Sequence, residues 1–113
     1  MSDTAGTTWL TLPELVERLG LPLGRVRRLI EDRALLATRI DGVLKVPANF
    51  LVGGEPMGEL RGTFIVLGDA GFSDDEAIQW LLNPEESLGA SPVDALRAGR
   101  KAEVRRVAQA LGF

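Results

Sequence analysis

The chain has 113 residues, 45% of them apolar, with 13 basic and 16 acidic side chains and a net charge of −3. That is the size of one domain with enough apolar mass for a core, and no apolar run reaches the length of a membrane span. Histidine, cysteine and tyrosine are absent, which removes the commonest general base and metal ligand, the thiol nucleophile and any disulfide framework. The chain therefore does not read as an enzyme, and nothing in it asks for a metal or a cofactor. The start, MSDTAGTT, has neither the basic nor the apolar region of a signal peptide, which favours the cytoplasm.

Residues 1–10 read as a flexible tail, small and polar through Thr8. Thr11-Leu12-Pro13-Glu14 is a capping box, with Leu10 and Leu15 at the two staple positions. It predicts a helix from Leu12 to Leu19, with Leu12, Leu15, Val16 and Leu19 on one face and Gly20 as its stop. After the turn Leu21-Pro22-Leu23-Gly24, a second helix runs over 24–32. Val26, Leu29 and Ile30 line its inner face, Arg28 points away from them, and Arg25 and Arg27 flank it. Leu35 to Arg39 and Val43 to Val46 alternate as two short strands. Asp41-Gly42 between them is a two-residue hairpin signal.

Val52-Gly53-Gly54-Glu55-Pro56-Met57-Gly58 reads as a linker, and the rest as helices. Leu60, Phe64 and Leu67 repeat at helical spacing and stop at Gly71. Ser73 to Glu76 is a second capping box, opening a helix through Ala77, Ile78, Leu81 and Leu82 that ends at Asn83-Pro84. Ser91-Pro92 starts another helix, and Val104, Val107 and Leu111 give the last one its stripe. Gly53-Gly54 is no nucleotide cradle, because strand, spacing and lysine are all missing.

The implied fold class is mainly α with a small β-hairpin wing. A winged helix-turn-helix occupies 11–52, a linker 53–58, and a C-terminal helical bundle 59–113, packed on the first half as one unit because neither half alone buries much. Charge follows this division. Residues 24–47 sum to +3, residues 51–94 to −8 and residues 95–113 to +4. The basic helix-hairpin region, rather than the net charge, sets the chemistry of a partner.

The N-terminal half resembles the MerR and excisionase-type winged helix, through Val26-Arg27-Arg28, Leu35-Leu36, Arg39 and Gly42 to Lys45 in that order. The whole chain is similar to a family of small actinobacterial winged-helix DNA-binding proteins, relatives of a mycobacterial kinase substrate. The matching features are Leu12-Pro13-Glu14-Leu15, the wing ending in Val46-Pro47, Ile78-x-Trp80-Leu81 and Pro92 to Leu96. The resemblance implies a DNA-binding regulator, cytoplasmic or nucleoid-associated, with any regulatory N-terminal extension reduced here. Trp80 to Pro84, Leu88-Gly89, Ser91-Pro92, Ala95-Leu96 and Val104 are also similar to the toxin-binding domain of Xre/MbcA/ParS-type antitoxins. That second resemblance implies the alternative, a protein-interaction module using the C-terminal helices.

Candidate DNA contacts are Arg25, Arg27 and Arg28 on the second helix and Arg39 and Lys45 on the wing. The competing reading pairs Arg27 with Glu31 and Arg28 with Asp32 on a solvated helix face, and makes Arg39 and Lys45 ordinary edge-strand charge. Lys101, Arg105 and Arg106 read as a solvated face near a helix end. Trp80 reads as core. Thr4, Thr7 and Thr8 are hydroxyls within reach of a Ser/Thr kinase, whose phosphate would weaken DNA binding. The expected partner is double-stranded DNA. A homodimer is the common remedy for one short recognition helix.

Overall fold

In the computed structural model, which describes residues 7–111, the chain enters the fold as a strand rather than as a tail. β1 (Trp9–Thr11) leads directly into α1 (Leu12–Leu19). The joint is the capping box. The Thr11 amide donates to Glu14 Oε1 at 2.8 Å, and the Glu14 amide donates to Thr11 Oγ1 at 3.3 Å. α1 ends at Gly20, whose φ of 66° a residue without Cβ adopts at least cost. Residues 1–6, most of the expected tail, lie outside the described residues.

α2 (Leu23–Glu31) packs on α1 and inserts Val26 fully into the core. It ends through Arg33, held at φ 63°, with the Ala34 amide donating back to the Leu29 carbonyl at 2.9 Å. A non-glycine residue in that conformation costs roughly 1 kcal/mol or more. Leu35 and Leu36, expected to start the wing strand, instead plug the core at 0% and 1% exposure. The wing strand begins later. β2 (Thr38–Ile40) turns through Asp41 (φ 53°) and Gly42 (φ 80°) into β3 (Val43–Pro47). Left-handed residues at both turn positions match the strand twist, as the Asp-Gly pair predicts.

β1 takes the other edge of β3, so the sheet order is β1-β3-β2, with Leu10 opposite Val46 and Arg39 opposite Leu44. A one-turn 3₁₀ helix at Ala48–Phe50 follows. The expected linker then folds as a second hairpin. β4 (Leu51–Val52) pairs with β5 (Glu55–Pro56) through Gly53 (φ 61°) and Gly54 (φ 80°), and Met57 behind it is buried.

The helical half comprises α3 (Leu60–Asp69), α4 (Asp74–Leu82), α5 (Pro92–Arg97) and α6 (Lys101–Ala110). α3 packs on α6, and α4 on α5. Ser73 and Glu76 close a second capping box, and Ser91 caps α5. The protein is thus mainly α with a small antiparallel sheet, a winged helix-turn-helix followed by a helical region. No helix among the described residues is long and apolar enough to cross a membrane.

One hydrophobic core runs through both halves, from Leu10, Leu15, Val26 and Val46 to Ile78, Leu81, Val93 and Val104. Its junction is Phe50 against Phe64, rings tilted at 58° with centroids 5.6 Å apart and both side chains buried. Removing one such ring costs about 3–5 kcal/mol in lost transfer and cavity energy. Phe64→Ala is therefore expected to lower stability by about that amount while leaving one transition. Single-tryptophan versions keeping Trp9 or Trp80 report on either half. Coincident fluorescence melts are the expected result; separated melts would show two folding units.

Both capping carboxylates carry a pH signature. The Thr11 amide holds Glu14 below its ordinary range, and the Ser73 amide does the same for Glu76. A depressed folded pKa gives stability that is present above the unfolded value and lost as pH falls through the folded one. Melting temperature is expected to stay level near neutrality and to drop on acidification below about pH 4. Glu14→Gln with Glu76→Gln should flatten that acid limb in a calorimetric pH series.

Candidate nucleic-acid interface

α2 is short because Pro22 precedes it and Arg33 turns the chain away after it. Its inner face is set by Val26, Leu29 and Ile30, so the 100° step between residues places Arg28 outward, with Arg25 and Arg27 on its flanks. All three arginines are exposed, and no guanidinium among them makes a hydrogen bond or ion pair with a described residue. The competing pairs Arg27–Glu31 and Arg28–Asp32 do not form among the described residues. No acidic residue lies in the first turn. Pro22 caps without a side-chain hydrogen bond, which leaves the positive end of the helix open to an anion. The acids Glu31 and Asp32 sit at the opposite end, so charge runs from positive to negative along α2.

The wing separates its two cations. Arg39 stands opposite Leu44, on the same side of the sheet as Leu10 and Val46. Lys45 stands opposite both Thr38 and Thr11, on the other side. Arg39 is exposed near the turn, and its Nη1 donates to the Gly42 carbonyl at 3.3 Å. Lys45 is half-buried, and its charge helps to lower the Glu14 carboxyl at the start of α1. The two therefore do not form one patch.

Two contacts from the second half position this surface. Arg33 Nη2 meets Asp74 Oδ1 at 2.9 Å, and Thr38 Oγ1 donates to Asp75 Oδ1 at 2.5 Å. The N-terminal turn of α4 thus grips both the end of α2 and the first strand of the wing. The Arg33 ion pair offsets part of the strain at that residue. Its partners are 42% and 51% exposed, so its stability contribution is at most about 1 kcal/mol and its main effect is on orientation.

The basic tail helix is partly engaged elsewhere. Arg105 lies over Gly62 of α3, where a Cβ would collide with its guanidinium. Lys101 and Arg106 are exposed. Trp80 is half-buried and packs against the core. Among the threonines, Thr8 is exposed, with its carbonyl accepting from the Ala48 amide at 2.8 Å, and Thr7 is half-buried. Thr4 lies outside the described residues.

With this geometry in place, known proteins supply a decisive comparison. The DNA-binding protein Rv2175c of Mycobacterium tuberculosis is 34% identical over 115 residues, covering 90% of this chain and 79% of that protein. The chain belongs to the Rv2175c family. The model of the Rv2175c winged helix-turn-helix domain matches residues 4–51, and that of the Rv2175c C-terminal domain of unknown function matches residues 57–112. The NMR structure of Rv2175c superposes with a TM-score of 0.85 at 32% identity, covering 96% of this chain and 83% of that one. Within this Rv2175c-type fold, Asp74 and Asp75 escape sequence inspection because a capping box accounts for acids at a helix start without any distant partner.

Replacing both clamp acids, Asp74→Asn with Asp75→Asn, is expected to cost no more than about 1 kcal/mol overall. Amide hydrogen exchange at Thr38 to Val46 should nevertheless accelerate severalfold. Unchanged exchange there would show that the wing does not depend on α4.

Proposed function

We propose that this protein binds double-stranded DNA as a transcription regulator or nucleoid-associated protein, with α2 as recognition helix in the major groove and the β2–β3 wing against the flanking backbone. The carrying observation is the set of three exposed arginines on α2 without partners among the described residues, on a helix braced by the core behind it. The reading is supported by the relative's description as a DNA-binding protein and by the shared winged helix-turn-helix family.

In this reading Arg28 reaches base edges, where its planar fork suits the two acceptors of guanine. Arg25 and Arg27 hold phosphates on either side of the groove. Arg39, exposed near the wing turn, is the direct phosphate contact of the hairpin, and Lys45 adds charge from the opposite face. A homodimer placing two copies of α2 one helical turn apart would supply the specificity that one nine-residue helix lacks. A Ser/Thr kinase acting on Thr7 or Thr8 would add about −1.5 to −2 charges ahead of α1 and weaken the complex.

Fluorescence anisotropy of a labelled duplex, titrated at two salt concentrations, tests the placement of α2. Affinity is expected to fall steeply with salt, and Arg28→Ala to cost roughly 1–3 kcal/mol of binding with the melting temperature unchanged. A variant that binds like the parent would remove α2 from the groove.

A further inference from the structure

A cleft of about 480 Å³ opens between α1, the Ala48–Phe50 turn, the β4–β5 hairpin and α5, and none of the candidate DNA-contact arginines lines it. Arg18 of α1 and Arg97 of α5 both line it, with Thr8, Asn49, Gly53 and Gly54. No described carboxylate lines it. In a chain with 16 acidic residues against 13 basic ones, two arginines lining one cleft with no acid beside them set this place apart.

Arg97 is held ready. Its Nη1 donates to the Leu51 carbonyl at 2.9 Å and to the Asn49 carbonyl at 3.2 Å. These neutral acceptors fix the guanidinium plane without cancelling its charge, and leave Nε and Nη2 to a ligand. The Arg18 guanidinium is exposed and makes no hydrogen bond or close ion pair with a described residue, although its charge acts weakly on Glu14. Glu14, the acid one turn before it, is engaged by the Thr11 cap. Gly53 and Gly54 form the two-residue turn of their hairpin, so their amides stand outside the ladder. Gly54 lies close to the Arg18 carbonyl, where an added Cβ would sit 3.6 Å away. The end of α1 brings about half a negative charge to this side, less than the two full positive charges it faces.

We infer that this cleft binds a phosphate group, gripped by Arg18 and Arg97, with the Thr8 hydroxyl and the Asn49 amide as neutral donors. Bidentate geometry suits guanidinium to a tetrahedral oxyanion. The group belongs either to the backbone of bound DNA or to a free phosphate compound. The inference does not rest on α2 reading DNA.

The test is a ¹H–¹⁵N titration of the full chain with inorganic phosphate, beside sodium chloride at equal ionic strength. Saturable shifts at Thr8, Asn49, Gly53 and Gly54, absent with chloride and lost in Arg18→Ala, are expected. Arg97→Lys keeps the charge without the fork and should weaken phosphate binding severalfold. Shifts that chloride reproduces, that persist in Arg18→Ala, or that never appear would overturn the inference. Duplex DNA then separates the sources. A salt slope shallower by about one in Arg18→Ala assigns the phosphate to the DNA backbone. An unchanged slope, with phosphate shifts still lost in the variant, assigns it to a free compound. The phosphate arm reads out even if the protein binds no DNA.

Discussion

The contact of Phe50 with Phe64 is the constraint on which the rest depends. Phe50 closes the winged segment and Phe64 lies mid-way along α3, so the pair joins the two halves through one apolar interior. Strands of three and five residues and helices of eight and nine are too short to be stable by local hydrogen bonding. They persist because Leu15, Val26, Leu35, Leu36 and Val46 share one apolar interior with the helical half. The C-terminal helices are therefore the support on which α2 and the wing rest. The clamp from Asp74 and Asp75 adds direction to that support, tying the end of α2 and the wing to one helix terminus.

The charge distribution follows the same logic. Cations stand on the solvent side of α2, while residues 51–94 carry a net charge of −8 in the elements that follow the wing. The net charge of −3 therefore hides an uneven distribution along the chain. Arginine serves contact well, since its charge holds at any physiological pH and its fork matches both phosphate and guanine.

Much of the fold was legible because its signals are local. The boxes Thr11–Glu14 and Ser73–Glu76 and the Asp41-Gly42 turn each need at most four neighbouring residues, and all appear as read. β1 was not legible, since its three residues acquire strand character only by pairing Leu10 with Val46, far along the chain. The β4–β5 hairpin resembled a linker because two glycines beside a proline serve a loop as well as a tight turn. Arg33 carried no signal, because no glycine marks its left-handed conformation. At the candidate site, helical spacing alone set Arg28 opposite Val26. The opposed faces of Arg39 and Lys45 follow from the two-residue turn, which pairs Ile40 with Val43 and so Arg39 with Leu44. Neither the clamp nor the cleft was visible, because each brings together residues that no local pattern connects.

The most direct measurement is an amide chemical-shift map of the ¹⁵N-labelled chain titrated with duplex DNA at low salt. Shifts concentrated in Leu23 to Glu31 and in the Thr38 to Val46 wing, and fading as salt rises, are the expected result. A map that leaves α2 unmoved and gathers instead on α6 or on the acidic helices would contradict the assignment of α2 as the reading element.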